Sequence, residues 1–224
     1  MSALAIAIID YDMGNLHSVS KALDVVGARP LVSDRPSEIV AADAVVLPGV
    51  GAFDPAMTHL RERELVPVLH QVIQQGMPFL GICLGLQVLF ECSEEGTEPG
   101  LGIFAGKVQR FQSAPGLTIP HMGWNQLTLT QSACALWQNL PPAPWVYFVH
   151  SYFVVPADPR LVAATVTHGQ QTVTAAIAHK NVFACQFHPE KSGKIGLQLL
   201  RNFVTLVTHQ YRYSDKELRH YPRQ

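Results

Sequence analysis

The stretch "PFLGICLGLQVLF" (residues 78–90) joins a short apolar run to a segment with helical spacing, and a cysteine lies at the junction. Cys83 has Gly81 two positions before it and Gly85 two positions after it. A sharp strand-to-helix turn imposes strained dihedral angles and needs small neighbours, so that chain segments can pass closely. Free cysteine is also among the most buried residue types, so this segment alone leaves open whether Cys83 is a core thiol or a nucleophile.

A turn of this kind would have chemical consequences for the thiol. It places the sulfur at a helix N-terminus, where the helix dipole favours the thiolate. The N–H of Leu84 is then one of the groups that the helix leaves unpaired, and it is free to face a reacting centre. Gln87 lies four residues after Cys83 and shares the helix face nearest to it.

Outside this segment, strand and helix patterns alternate through the first half of the chain. Strands are predicted at 4–10, 29–34, 44–49 and 78–83, and helices at 16–28, 59–76 and 84–93. Continuous apolar strands alternating with helices indicate a parallel sheet covered on both faces. In the second half, strand-like segments are predicted at 102–111, 125–130, 145–155, 161–169, 172–180 and 182–187, followed by a helix at 194–210. We therefore predict one α/β domain over residues 1–208, with a mostly parallel central sheet and additional antiparallel strands, and a polar tail over 209–224.

Composition excludes several classes of function. The chain has 224 residues, of which 48% are hydrophobic and 15% charged, which suits one well-filled core. Its net charge is −1 and it has no run of Lys or Arg, which argues against nucleic-acid or anionic-membrane binding. No apolar run approaches the roughly 20 residues that span a bilayer. The four cysteines are widely spaced without a C-x-x-C pair, so we expect no metal site and no disulfides, and reduced thiols in the cytoplasm.

A base for Cys83 is available in "ACQFHPEKS" (residues 184–192), where a buried strand ends in His188. Pro189 disfavours a helical conformation at the residue before it, so His188 should be extended. In an extended segment residues two apart face the same way, and Glu190 can approach the His188 ring. A Cys–His–acid triad needs this arrangement, although a surface loop with an incidental histidine and glutamate is the simpler alternative.

The motifs "GICLGLQ" (81–87) and "FHPEKS" (187–192) together resemble the class I glutamine amidotransferases. Four more segments are similar to one branch of that family, the glutaminase subunits of imidazole glycerol phosphate synthase. They are "YDMGNLHSV" (11–19), "LPGVGAF" (47–53), "PHMGWNQL" (120–127) and "YFVHSYFV" (147–154). The resemblance covers about residues 4–206 and implies a flavodoxin-like α/β domain.

The resemblance implies a role for several residues. Cys83 would be the nucleophile, His188 the acid–base and Glu190 its orienter. The implied oxyanion-hole residues are Val50, Gly51 and Leu84. The implied substrate-binding residues are Gly49, Gln87, His150, Ser151 and Tyr152. The implied partner-interface and gate residues are Asn15, Trp124, Asn125 and Lys191.

The implied reaction is hydrolysis of L-glutamine to glutamate and ammonia through a glutamyl thioester, with no metal or organic cofactor. The resemblance also implies a heterodimer with a separate (β/α)8 cyclase subunit, which uses the ammonia to make imidazole glycerol phosphate and AICAR in histidine biosynthesis. A barrel of about 250 residues would not fit in this chain beside the amidotransferase domain. We expect the lone subunit to be nearly inactive. One candidate gate of glutamine hydrolysis is a misdirected N–H in the PGVG loop (residues 48–51).

Three alternatives remain at this point. The first is a glutaminase for another synthase, such as the vitamin B6, anthranilate or guanylate branch, against which PGVGAF and PHMGWN argue. The second is a hydrolase of the related cysteine-elbow folds, which tend to place a histidine directly after the nucleophile, whereas Leu84 follows Cys83 here. The third is a binding module that uses the same fold without catalysis.

Overall fold

The computed structural model describes the backbone of residues 4–218 and the side chains of residues 4–209. The strands are β1 (Ala5–Ile9), β2 (Arg29–Ser33), β3 (Ala44–Gly49), β4 (Phe79–Cys83), β5 (Cys92–Ser93), β6 (Gly106–Arg110), β7 (His121–Gln126), β8 (Thr128–Leu129), β9 (Trp145–His150), β10 (Tyr152–Pro156), β11 (Val162–His168), β12 (Gln171–His179) and β13 (Val182–Cys185). The helices are α1 (Leu16–Val25), α2 (Pro36–Val40), α3 (Phe53–Glu62), α4 (Leu65–Gln74), α5 (Leu84–Gln87) and α6 (Gly193–Leu218).

Eight strands form the central sheet, in the order β2-β1-β3-β4-β13-β12-β11-β8. In this order, the first five strands (β2, β1, β3, β4 and β13) pair in parallel. The remaining strands, β12, β11 and β8, extend the sheet with antiparallel pairs. The predicted mixed sheet is therefore confirmed. The register places Gly49 opposite Cys83, so the carboxyl ends of β3 and β4 lie side by side.

Helices cover both faces of this sheet. Along β1, Ile6 and Ile8 point to one face, and Ala7 and Ile9 to the other, because successive side chains of a strand alternate. The first face packs against α1 and α6 through Val19, Leu23, Leu199 and Phe203. The second face packs against α2, α3 and α4 through Ile39, Met57, Leu60 and Leu69. Burial on both faces explains why the parallel strands are continuously apolar.

The helix predicted over 59–76 is instead two helices, and this prediction was wrong. α3 ends at Glu62, and Glu64 takes a left-handed conformation with φ of 56° before α4 begins. Pro67 is the third residue of α4. In a continuous helix Pro67 would lie in the interior, where it removes a hydrogen bond and clashes with the preceding turn. A break before Pro67 puts it in a first turn, where its missing N–H costs nothing.

The helix predicted over 84–93 is also shorter than expected, because α5 ends at Gln87. The carbonyl of Val88 accepts the N–H of Leu101, and the carbonyl of Leu89 accepts that of Phe104. These distant backbone groups replace the helical partners, and the chain then turns into β5. Tertiary hydrogen bonds override the helical pattern of this segment.

Two small sheets complete the fold, with the orders β10-β6-β5 and β7-β9. The chain passes from β9 to β10 at Ser151, so the single segment predicted over 145–155 serves two sheets. α6 continues to Leu218, and residues 219–224 of the predicted tail lie outside the described residues. The division at residue 208 stays a prediction. None of the helices within 4–218 is long and apolar enough to cross a membrane.

Candidate active site

The candidate site lies at the carboxyl ends of three neighbouring strands. β3 ends at Gly49, β4 ends at Cys83, and His188 follows the end of β13. Ligands bind at this edge in open α/β sheets. A cavity of about 320 Å³ opens there, and its lining includes Cys83, Leu84, Gln87, His150, Tyr152 and His188.

Cys83 occupies a strained turn between β4 and α5. Its φ of 55° and ψ of −107° are unusual for a residue with a side chain, and only 7% of it is exposed. The glycines on either side are sterically required. A Cβ at Gly85 would lie 1.9 Å from the Leu47 carbonyl oxygen, and a Cβ at Gly81 would lie 2.7 Å from the Gly85 oxygen. The strand-to-helix elbow inferred from the glycine pair is therefore present.

His188 and Glu190 form a buried pair. The His188 Nδ1 lies 2.8 Å from the Glu190 Oε1, and their side chains are 2% and 1% exposed. The His188 N–H donates to the Tyr147 carbonyl, and the Ser192 hydroxyl donates to the His188 carbonyl at 2.6 Å. The φ of −102° and ψ of 98° of His188 are extended, as Pro189 predicts. The backbone bonds and the carboxylate together fix the orientation of the imidazole.

The electrostatics of this pair favour a charged imidazole. Burial is the largest single influence and lowers the pKa of His188, but Cys83 and Glu190 together outweigh it and raise the pKa to about 9. His188 is therefore protonated at neutral pH. Its Nε2 and the Glu190 Oε2 are buried and make no hydrogen bond to any other described residue. The Nε2–H is thus available to a group in the cavity.

The PGVG loop does not present the Val50 N–H to Cys83, and the oxyanion-hole roles of Val50, Gly51 and Leu84 stay predictions. The Val50 N–H donates to the Met13 carbonyl at 2.7 Å and so does not face Cys83. The Tyr11 hydroxyl donates to the Pro48 carbonyl at 2.8 Å and holds the base of the loop. Burial, and to a smaller extent Cys83, raise the pKa of Tyr11 far above its ordinary value, so this hydroxyl is a neutral donor. Gly51, with φ of 95°, takes a conformation that favours glycine.

Four of the five predicted substrate residues line the same cavity, and Gly49 is the exception. Gln87 donates from Nε2 to the Tyr152 carbonyl at 3.3 Å and to the Gln186 Oε1 at 3.1 Å. Both amide hydrogens are thereby used, and the Gln87 Oε1 remains to accept a hydrogen bond from a ligand. His150, Ser151 and Tyr152 line the cavity where β9 passes into β10.

Two residues of the site were not predicted. Glu95 lines the cavity and accepts the Phe53 N–H at 2.8 Å; burial, the largest influence, raises its pKa. Glu95 lies in an irregular loop, where no periodic pattern marks it. Gln186 is fully buried and donates to the Cys83 sulfur at 3.6 Å. Gln186 precedes His188 by two residues, so the rule that paired His188 with Glu190 could have found it.

The predicted partner-interface residues lie on different parts of the molecule. The Asn15 Oδ1 accepts the Ser18 N–H at 3.4 Å and caps α1. Trp124 is 53% exposed on β7, so it is not a core aromatic. Asn125 follows it on β7, and Lys191 is exposed at the lining of the cavity. Their roles towards a partner stay predictions.

Other parts of the described chain carry less chemistry. A larger and more open depression of about 790 Å³, near Phe104 and Lys180, contains no cysteine and lies away from Cys83. Among the side chains of residues 4–209, no group of three or more His, Cys, Asp or Glu is arranged to hold a metal ion. The nucleophile–base geometry therefore singles out the smaller cavity.

Comparison with known proteins agrees with this class of site. Residues 7–207 match the family described as glutamine amidotransferase class-I. The chain belongs to this family. Its fold is also similar to solved structures of the same kind. A protein from Thermoplasma acidophilum, described as a putative GMP synthase component, has a TM-score of 0.70 at 20% identity, covering 96% of this chain and 99% of that one. The glutaminase domain of a Trypanosoma brucei CTPS has a TM-score of 0.66 at 14% identity, covering 92% and 94%.

Relatives of higher sequence identity indicate which branch of the family this chain resembles. The chain is 86% identical to the imidazole glycerol phosphate synthase subunit HisH of Thermosynechococcus vestitus, over 92% of this chain and 99% of that protein. It is 69% identical to the protein of the same description from a Cyanothece species, over 90% of this chain and 96% of that protein. The predicted branch of the family is therefore confirmed.

Proposed function

We propose that this chain hydrolyses L-glutamine at Cys83 as the glutaminase subunit of an imidazole glycerol phosphate synthase, and so provides ammonia for histidine biosynthesis. The observation that carries the proposal is a cysteine on a strained elbow, in one cavity with a histidine whose other ring nitrogen is held by a buried glutamate. Acyl transfer through a covalent intermediate needs this combination of nucleophile, base and orienter.

In the first half of the reaction, the Cys83 thiolate attacks the amide carbon of the substrate side chain. The protonated His188 then donates the proton of its Nε2 to the leaving nitrogen, which departs as ammonia and leaves a glutamyl thioester. The raised pKa of His188 supports this role, because the acid is already charged before the substrate binds. In the second half, neutral His188 takes a proton from water, which attacks the thioester and releases glutamate.

Substrate recognition would rest on groups that face the cavity. The half-buried Glu95 carboxylate suits the substrate α-ammonium, and the Gln87 Oε1 can accept a second hydrogen bond from it. Gly49 lies at the end of β3 opposite Cys83, where a side chain would collide with the Tyr11 hydroxyl. Ser151 and Tyr152 border the cavity and would contact the substrate backbone.

The oxyanion hole would be completed only after the PGVG loop changes conformation. Leu84 begins α5, so its N–H belongs to the first turn of a helix. The second donor, the Val50 N–H, is engaged by the Met13 carbonyl. Removing one such donor typically lowers kcat by about 10²–10³. A peptide flip at Val50 and Gly51 would therefore switch the glutaminase on, which supports a gated enzyme.

A separate (β/α)8 cyclase subunit is the proposed receiver of the ammonia, in a heterodimer. β7 and β9 present Met122, Trp124 and Trp145 to solvent with exposures of 62%, 53% and 52%, and Val50 is 39% exposed. Large exposed apolar groups beside a catalytic cavity are typical of an interaction surface. Asn15, Asn125 and Lys191 would extend that surface. We place the complex in the cytoplasm.

Two measurements test the proposal. A glutamine-like electrophile should label Cys83 in the complex with the cyclase subunit and should leave Cys92 unlabelled. Mass spectrometry of the peptides distinguishes the two cysteines. Glutamine turnover by the isolated chain should be low and should rise when cyclase and its ligand are added. High turnover that is unchanged by the partner would contradict the gate, and failure to label Cys83 would contradict the catalytic assignment.

A further inference from the structure

A chain of hydrogen bonds runs from the Cys83 sulfur through the interior to β7, on the side of the molecule that carries Trp124. Its successive members are Gln186, Gln87, the Tyr152 carbonyl, His150, His121 and Asn125. Most of these groups are buried, and a buried polar group is costly unless it is paired. The direction of each hydrogen bond decides which atom faces the sulfur.

The half of the chain nearest the sulfur has one possible direction. The Tyr152 carbonyl can only accept, so the Gln87 amide must turn its Nε2 towards it, at 3.3 Å. The same Nε2 lies 3.1 Å from Gln186, which must therefore present its Oε1. The Gln186 Nε2 is then left to donate to the Cys83 sulfur at 3.6 Å. The Gln186 amide orientation thus follows from an acceptor that cannot reverse its role.

The other half reaches the same carbonyl. The His150 Nδ1 donates to the Tyr152 carbonyl at 2.7 Å, so the His150 Nε2 accepts from the His121 Nδ1 at 3.0 Å. The His121 Nε2 then accepts from the Asn125 Nδ2 at 3.1 Å. The Asn125 Nδ2 also faces the Thr167 carbonyl at 2.9 Å, which again can only accept. Acceptor-only groups at both ends require that both imidazoles are neutral and carry the proton on Nδ1.

The surroundings of the two histidines agree with this neutral state. Burial, the largest influence, lowers the pKa of His121 to about 4 and that of His150 to about 3. His168 stacks on His121 with ring centroids 4.3 Å apart, and it contributes to the lowering of both pKa values. His188 also acts on His150 in the same direction. Protonating His121 would set its Nε2–H against the Asn125 amide hydrogens.

We propose that Gln186 is a positioning residue for the Cys83 sulfur, held in its donating orientation by Gln87, whose Nε2 must face the Tyr152 carbonyl. The inference rests on the proposed function, since it assigns Gln186 to the same thiol. Gln186 is fully buried and does not line the cavity, so it acts through Cys83 and has no direct access to a substrate. An N–H donor of this kind stabilises the thiolate and restricts the direction in which it attacks.

The test compares Gln186→Met and Gln186→Glu with the parent chain, each in complex with the cyclase subunit. Methionine keeps the length of the side chain without the donor, and glutamate replaces the donor by a carboxylate facing the sulfur. For Gln186→Met we expect kcat for glutamine to fall about 10- to 100-fold, as for loss of a hydrogen bond to a charged group. KM should stay within about threefold, since substrate contacts are intact. Gln186→Glu should lower kcat for glutamine more than Gln186→Met does.

A second readout does not depend on glutamine hydrolysis. The rate of Cys83 alkylation by iodoacetamide is followed against pH, with peptide mass spectrometry to separate it from the exposed Cys92. The profile should move to higher pH in both variants. An absence of glutamine hydrolysis in the parent complex would refute the proposed function, whereas an unchanged alkylation profile in Gln186→Met would refute the positioning role.

Asn202→Leu is the matched control for loss of a buried amide. The Asn202 Nδ2 donates to the carbonyls of Leu136 and Gln138 at 2.8 and 2.6 Å, in a part of the core that does not contact the cavity. Its Tm should fall while its alkylation profile stays that of the parent. If the alkylation profile moved equally in Asn202→Leu and in Gln186→Met, Gln186 would have only a structural role, and the inference would be overturned.

One measurement needs no substitution and tests the half of the chain that passes through the histidines. Histidine ¹⁵N spectra of the parent chain at pH 7 should show His121 and His150 as neutral imidazoles protonated at Nδ1. An Nε2–H tautomer of His150 would break the bond to the Tyr152 carbonyl and refute the proposed direction of the chain.

Discussion

Replacing Glu190 by glutamine tests the source of the charge on His188. The glutamine keeps the size of the side chain and an oxygen that can accept the Nδ1–H, but it removes the negative charge 2.8 Å away. A hydrogen bond to a charged group contributes about 1.5–3 kcal/mol, and 1.36 kcal/mol corresponds to about one pKa unit. Glu190→Gln should therefore lower the pKa of His188 by about 1 to 2 from its value of about 9.

The assay is an NMR titration of the His188 ring in the folded chain, beside the pH profile of kcat in the complex. The alkaline limb of that profile should move to lower pH with the histidine. Stability gives a third readout. Because the pKa of His188 is raised in the folded state, its contribution is fully present below about pH 6.5 and is lost as the pH rises through about 9. In the variant this contribution should be smaller and should be lost at a lower pH, as the pH rises through about 7 to 8.

A matched control is Glu38→Gln, which removes a carboxylate from a surface pair with Arg35 and keeps an oxygen that can accept the Ser33 hydroxyl. Exposed pairs contribute little, so this variant should leave the His188 titration and kcat unchanged. If Glu190→Gln left the pKa of His188 near 9, Glu190 would not be a source of the shift, and His188 would owe its charge to another group.

Three further predictions concern the elbow, the buried histidines and the exposed surface. Gly85→Ala, whose Cβ would lie 1.9 Å from the Leu47 oxygen, should cost at least about 1–3 kcal/mol in urea unfolding, and an unchanged midpoint would contradict the close approach. The pKa values of His121 and His150 are lowered in the folded state, so stability should fall as the pH drops below about 6.5, by about 2 kcal/mol per histidine at pH 5. The double His121→Phe/His150→Phe variant should flatten that slope, and an equally steep slope would refute the buried neutral pair. Trp124→Ala should weaken cyclase binding about 10- to 100-fold in calorimetry and leave the stability of the chain within about 0.5 kcal/mol, and unchanged affinity would remove this surface from the interface.

Much of this fold could be predicted because its signals are local. Continuous apolar strands followed by helices indicated the parallel sheet, and the glycines beside Cys83 indicated the elbow. The helix boundaries differ from the prediction at two places. Pro67 splits one predicted helix into two, although its position was readable from the sequence. The end of α5 depends on backbone groups of Leu101 and Phe104, which no window around Cys83 contains.

The candidate site divides in the same way. His188 is extended at a strand end, as Pro189 predicts, but Glu190 reaches its ring from a short 3-10 turn (Pro189–Lys191) and not from an extended segment. Gln186 lies two residues before His188 and follows the rule of alternate residues. The direction of the Val50 N–H depends on the Met13 carbonyl, 37 residues away in the chain, so no local pattern reveals it. Glu95 reaches the cavity from a loop whose course is set by its hydrogen bond to Phe53.

Cys83→Ala in the complex with the cyclase subunit tests the central claim most directly. The substitution removes the sulfur and leaves the His188–Glu190 pair and the surface around Trp124 in place. Synthesis of imidazole glycerol phosphate is measured once with glutamine and once with ammonium salt as the nitrogen source. We predict that the glutamine-dependent reaction is lost and the ammonia-dependent reaction is retained. Glutamine-dependent synthesis that survives in Cys83→Ala would contradict the assignment of Cys83 as the nucleophile.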